Sequence, residues 1–243
     1  MLSCGSRAQA KSEECVAEVR AEVLVGATDT LSYMPQLRGR RVAVLANHTA
    51  MFSASEHIVD MMHRQGLNIV GIFAPEHGFR GSVEAGAVVR NSVDERTGIN
   101  ILSLYNGNTK RPSDDVMRSF DVLVVDMQDV GLRFYTYYIS MVRMIDACAD
   151  YGCKVIVLDR PNPIGGAIEG NRHREENLSF IGLTRVPIRH GMTLGELALF
   201  YNGEYHLGCD LHVIPMDGWN RSMYFEDTGL PFVCPSPNLP NQD

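Results

Sequence analysis

Asp121-Val-Leu-Val-Val-Asp126 decides how this chain folds, because its four central residues are all apolar and three are valine. A strand wetted on one face alternates polar with apolar residues, whereas one covered on both faces does not. Two further runs share this character, Arg41-Val-Ala-Val-Leu-Ala-Asn47 and Lys154-Val-Ile-Val-Leu-Asp159, and Asn68-Ile-Val-Gly-Ile-Phe-Ala74 is close to it. Ile99 to Tyr105 and Asp210 to Pro215 read as shorter strands. The segments between them have helical spacing. Ser53 to Arg64 places Ile58, Met61 and Met62 on one face, with Ser53 or Ser55 as its cap. Ser113 to Ser119 is a brief helix. Tyr137 to Asp150 aligns Ile139, Val142, Ile145 and Ala149, and Gly152 stops it. Thr193 to Tyr201 starts with Thr193 as cap and Glu196 completing a capping box. Buried strands alternating with helices predict an α/β fold with a mostly parallel sheet between two helical layers.

The 243 residues are 45% hydrophobic and carry a net charge of −7. That length suits one large domain, or one domain and the start of a second. Charges of both signs are mixed and no basic block occurs, which argues against a nucleic-acid partner. No apolar run reaches the roughly 20 residues a membrane helix needs. The six cysteines form no C-x-x-C pair, so no zinc or redox motif is indicated. Glu13 to Val25 reads as a short charged helix. Met1 to Gly5 is like the tail of a lipoprotein signal around Cys4, without the charged start and apolar stretch of a whole one. The expected division is an N-terminal segment over 1–30, an α/β catalytic domain over 31–216, and the start of a linker and a largely absent C-terminal domain over 217–243.

Ligands of open α/β sheets bind beyond the carboxyl ends of the strands. Four strands run there into polar clusters: Asn47-His48; Pro75-Glu-His-Gly-Phe-Arg-Gly81; Asp126-Met-Gln-Asp-Val-Gly-Leu-Arg-Phe-Tyr-Thr-Tyr137; and Asp159-Arg-Pro-Asn162. Glycoside hydrolysis needs a carboxylic acid for the leaving oxygen and usually a second carboxylate. Glu76 is the first candidate, its alternative being a structural glutamate that caps a helix or pairs with Arg80. Glu169, between glycines in the long segment 161–186, is the candidate for the second, against an exposed loop glutamate. Asn47, His48, His77, Arg80, Gln128, Asp129, Asn162 and His190 are candidate sugar-binding residues. Asp126 is read either as part of its polar cluster or as a tie for loop amides. Arg133 and Arg160 could each grip a carboxylate in two-pronged fashion. Tyr135 and Tyr137 could stack on a sugar or pack in the core.

The stretches PEHGFRG (75–81), DMQDVGLRFYTY (126–137), DRPNP (159–163) and RHGMTLGELA (189–198), in this order, resemble the signatures of the NamZ-type exo-β-N-acetylmuramidases. The resemblance runs from Leu31 to Pro240. It implies a Rossmann-like three-layer sandwich and an active site facing a smaller C-terminal domain. It also implies release of N-acetylmuramic acid from the non-reducing end of peptidoglycan fragments, without a cofactor or metal. Under it the catalytic glutamate falls on Glu76 and a second cleft glutamate on Glu169. The lactyl carboxylate of muramic acid would then meet Arg133 or Arg160. A periplasmic or cell-envelope location is the corresponding expectation.

Three rival readings are weaker. A nucleotide-binding enzyme lacks its glycine fingerprint, because Asn47-His48-Thr49-Ala50 follows the first strand. A metal-dependent hydrolase would use His48, His77, Asp126 and Asp129, whose spacing fits no standard motif. A muramyl-sugar-binding remnant without catalysis is the third.

Overall fold

The computed structural model describes residues 22–81, 90–104, 111–179, 182–183, 185–236 and 238–239. Cys4 and most of the expected helix 13–25 lie outside them. Residues 22–25 of that expected helix are instead extended. Leu24 bridges antiparallel to Asp217, and Val23 N–H donates to Thr228 O. Val25 and Ala27 join the core and Phe225 is buried, so residues on both sides of the expected 31–216 body pack against it.

Seven strands form the main sheet: β1 (Val42–Ala46), β2 (Ile69–Ala74), β3 (Ser92–Val93), β4 (Asn100–Ser103), β5 (Val122–Asp126), β6 (Lys154–Leu158) and β9 (Leu211–Ile214). Their order is β3-β4-β2-β1-β5-β6-β9. All pairs are parallel except β3 with β4. Without the antiparallel β3, this is the strand order of a Rossmann sheet, reversing direction between β1 and β5. Two short strands outside it, β7 (Glu169–Arg172) and β8 (Pro187–Arg189), pair antiparallel and occupy part of the segment 161–186.

Successive residues of each strand feed opposite cores. Ala43, Leu45, Leu123, Val125, Val155 and Val157 pack under α4 (Tyr137–Tyr151) and α5 (Leu194–Glu204). Val42, Val44, Val122, Val124, Ile156 and Leu158 pack under α1 (Thr30–Leu37) and α2 (Ile58–Arg64). The three-layer sandwich follows from these two-sided strands. The short α3 (Asp114–Met117) completes the helices. Helix α4 ends at Gly152, whose φ of 65° satisfies the left-handed cap. The Thr193–Glu196 capping box forms as expected. Helix α2 starts later than expected: His57, not a serine, caps it, its side chain accepting from Val59 N–H. Among the described residues no helix is long and apolar enough to cross a membrane.

Candidate active site

The loops after β1, β2, β5 and β6 meet at the carboxyl edge beside the β1–β5 reversal. Strand β2 ends in a turn closed by Gly78 N–H donating to Pro75 O at 3.1 Å. His77, third in that turn, has φ 69°, a conformation glycine or asparagine usually supplies. The turn holds Glu76 just beyond the sheet, where its Oε2 accepts from Thr136 Oγ1 at 2.6 Å. Thr136 immediately precedes α4, and Tyr137 is the buried first residue of that helix. The Tyr137 hydroxyl donates to Pro235 O. Its ring stands edge-on to Tyr135 (centroids 4.7 Å) and to His77 (6.4 Å). Burial raises both phenol pKa values, and the charges of Glu76 and Asp129 push them the same way. Both carboxyls therefore lie near this tyrosine pair.

Asp129 is buried. Its Oδ2 accepts from Gly131 N–H at 3.2 Å, and Oδ1 has no partner among the described residues. Burial lifts its pKa to about 7 against the pull of backbone N–H groups. His48 bonds Cys234 O through Nε2 at 2.6 Å, and burial lowers its pKa, with His77 adding to the effect. Thus Glu76, His77, His48, Asp129 and Tyr135 of the expected set come together.

Other expected groups also bond to the scaffold, while Asn47 Nδ2 and His190 Nε2 stay without a partner among the described residues. Asn47 Oδ1 accepts from Thr49 N–H (3.1 Å) and Oγ1 (2.6 Å), and its carbonyl accepts from His57 Nε2 (2.7 Å). Gln128 Nε2 donates to Asp129 O and Pro161 O, both at 2.8 Å. Asn162 Nδ2 donates to Met192 O and Oδ1 accepts from Ile164 N–H. A Cβ at Gly131 would lie 2.2 Å from that Oδ1, so only glycine fits there. His190 is buried, accepts from Met192 N–H through Nδ1, and burial lowers its pKa to about 4.

Three expectations change. Arg160 is no free carboxylate receptor, because Nε and Nη2 already grip Asp126 Oδ1 (2.5 Å) and Oδ2 (3.0 Å). Among the described residues no group of three His, Cys, Asp or Glu is placed to hold a metal ion. Arg80 pairs with Asp94 and Asp60 rather than with Glu76. Glu169 sits on the exposed β7–β8 ribbon, 66% accessible, and bonds Arg189 at 3.1 Å instead of joining the Glu76 cluster. Arg133 Nη1 donates to Asn171 O and Val186 O, and no carboxylate pairs with it among the described residues.

The sequence reading missed Thr136 as the partner of Glu76. It also missed Asp159, which accepts from Thr193 Oγ1, Gly195 N–H and Arg160 N–H and so docks α5 onto β6. A hydroxyl placed directly before a helix was the available signal for Thr136.

The family model for exo-β-N-acetylmuramidase NamZ, N-terminal, matches residues 42–243. The chain is 44% identical over 216 residues to the peptidoglycan β-N-acetylmuramidase NamZ of Bacillus subtilis (strain 168), covering 87% of this chain and 52% of that protein. Two crystal structures of DUF1343 family proteins from Bacteroides fragilis NCTC 9343 superpose with TM-scores of 0.80 and 0.84. They are 45% and 38% identical to this chain, and each match covers 91% of it and 58% or 57% of theirs. The chain spans about half the length of the relatives it matches.

Proposed function

The chain belongs to the exo-β-N-acetylmuramidase NamZ family, and from that premise we propose that it supplies the acid-bearing face of a glycosidase. The substrate is a peptidoglycan fragment, from whose non-reducing end N-acetylmuramic acid is released. Glu76 is the general acid that protonates the leaving glycosidic oxygen. One observation carries this reading most: Glu76 is set beyond β2 by a strained turn and fixed by Thr136 beside the half-buried Tyr135 and the buried Tyr137. Asp129, whose charge also reaches that pair, is a better second carboxyl than the exposed Glu169. Arg133 is the receptor for the lactyl carboxylate. A cell-envelope location goes with such a substrate.

The test is hydrolysis of a chromogenic β-N-acetylmuramide by this chain and by a version extended to the relatives' length. Glu76→Gln should abolish release while leaving the circular dichroism spectrum unchanged. Turnover near wild type in that variant would refute the acid role.

A further inference from the structure

A cavity of about 190 Å³ opens at the carboxyl ends of β1, β5 and β6, where the strand order reverses. Val25, Phe52, Phe225 and Val233 give it apolar walls. Two lining side chains, Gln128 and Arg160, bring polar groups that the protein leaves unused. Gln128 commits Nε2 to two carbonyls, and Oε1 carries no hydrogen bond among the described residues. Arg160 commits Nε and Nη2 to Asp126 and Met51 O, which leaves Nη1. One acceptor and one donor are thus held rigidly beside an apolar wall.

Charge decides what such a cavity favours. The Arg160 cation is already neutralised by Asp126, and the exposed Glu22 also lines the cavity. An anionic group gains little there. A neutral amide gains more: its N–H can meet Gln128 Oε1, its carbonyl can meet Arg160 Nη1, and a methyl can lie on the valine and phenylalanine walls. We infer that this cavity receives the acetamido group of an N-acetylated amino sugar. The inference rests on the proposed function for its substrate class and adds the subsite that reads the N-acetyl substituent, apart from the carboxylate receptor at Arg133.

Calorimetric titration of the wild-type chain with N-acetylmuramic acid and with 3-O-lactylglucose tests it, since a hydroxyl replaces the acetamido group in the second sugar. The N-acetylated sugar should bind at least tenfold more tightly. Val233→Phe fills the cavity from a half-buried position, and Gln128→Met removes the acceptor together with the two Nε2 bonds to Asp129 O and Pro161 O. Each should reduce the preference below threefold, with the weaker sugar's affinity little changed. Equal affinities in wild type, no binding of N-acetylmuramic acid, or a preference that survives both variants would overturn the inference. Turnover of the chromogenic muramide without this preference would sink the subsite and spare the glycosidase reading. The preference without turnover would do the opposite.

Discussion

Thr136 gives its hydroxyl hydrogen to Glu76 Oε2 at 2.6 Å across the end of β1, which lies between β2 and β5. The bond ties the turn after one strand to the entrance of α4, so the carboxyl position depends on two loops at once. Thr136→Val should lower kcat roughly tenfold with KM within about twofold, the loss expected for one aligned hydrogen bond. Thr136→Ser should restore most of it. A Val variant as fast as wild type would show that Glu76 is placed by its turn alone.

Arg160 and Asp126 form a bidentate pair with almost no solvent access, their side chains being 8% and 0% exposed. Removing only the cation strands a buried carboxylate, at a cost of about 3–5 kcal/mol. Arg160→Met should therefore lower Tm by roughly 10 °C in a chain of this size. The double variant Asp126→Leu/Arg160→Met should recover at least half of that. A double variant less stable than the single one would mean that the pair acts chiefly by bonding its loops.

The contrast between these two contacts shows what was legible in the sequence. Runs such as Val122–Val125 revealed the sheet because burial on both faces leaves a mark in composition. Gly152 and the Thr193–Glu196 box revealed helix ends because their backbone chemistry is local. Helix α1 was missed, with Pro35 inside it, as was the β7–β8 ribbon, whose residues 169–172 are all exposed and so carry no alternation. At the site, residue type announced hydrogen-bonding capacity but not where it is used. Gln128, Asn162 and Arg160 each commit part of their side chain to holding loops, and sequence alone does not separate those groups from Glu76. The start of α2 moved to His57 for the same reason: a histidine ring can do the work of a serine when the turn aims it at Val59 N–H.

Asp129 and Asp159 make stability depend on pH. Burial raises their pKa values to about 7 and about 6, whereas in the unfolded chain aspartate titrates near about 4. At these two carboxyls the folded chain holds more protons than the unfolded one between those limits, so their contribution to stability falls as pH rises from about 4 to about 7. The lowered pKa values of His48, His57 and His190 act the opposite way below about 6.5, so the carboxyl effect is read by comparison with a variant. Relative to wild type, Asp129→Asn should gain roughly 1–3 kcal/mol of stability between pH 5 and pH 7.5 in urea denaturation. A variant whose stability changes with pH in parallel with wild type would contradict the buried, proton-holding state of Asp129.

Arg133 presents a cation held by two main-chain oxygens and balanced by no described carboxylate. Arg133→Ala should raise KM for muramyl substrates at least tenfold more than for glucosaminyl analogues, which lack the lactyl acid. Arg133→Lys should recover only part, because a point charge cannot reproduce the planar fork. Equal losses on both substrate types would assign the arginine to holding the β7–β8 ribbon instead.

Strand β3 has a consequence for the molecule in crowded solution. A parallel sheet that finished at β4 would present a row of unpaired amides able to recruit a strand from another chain. Here the border is two residues long, runs the opposite way, and passes at once into Asp94, which Arg80 secures. An intruding strand finds too little template to grow on, so this end of the sheet is protected against edge-to-edge aggregation.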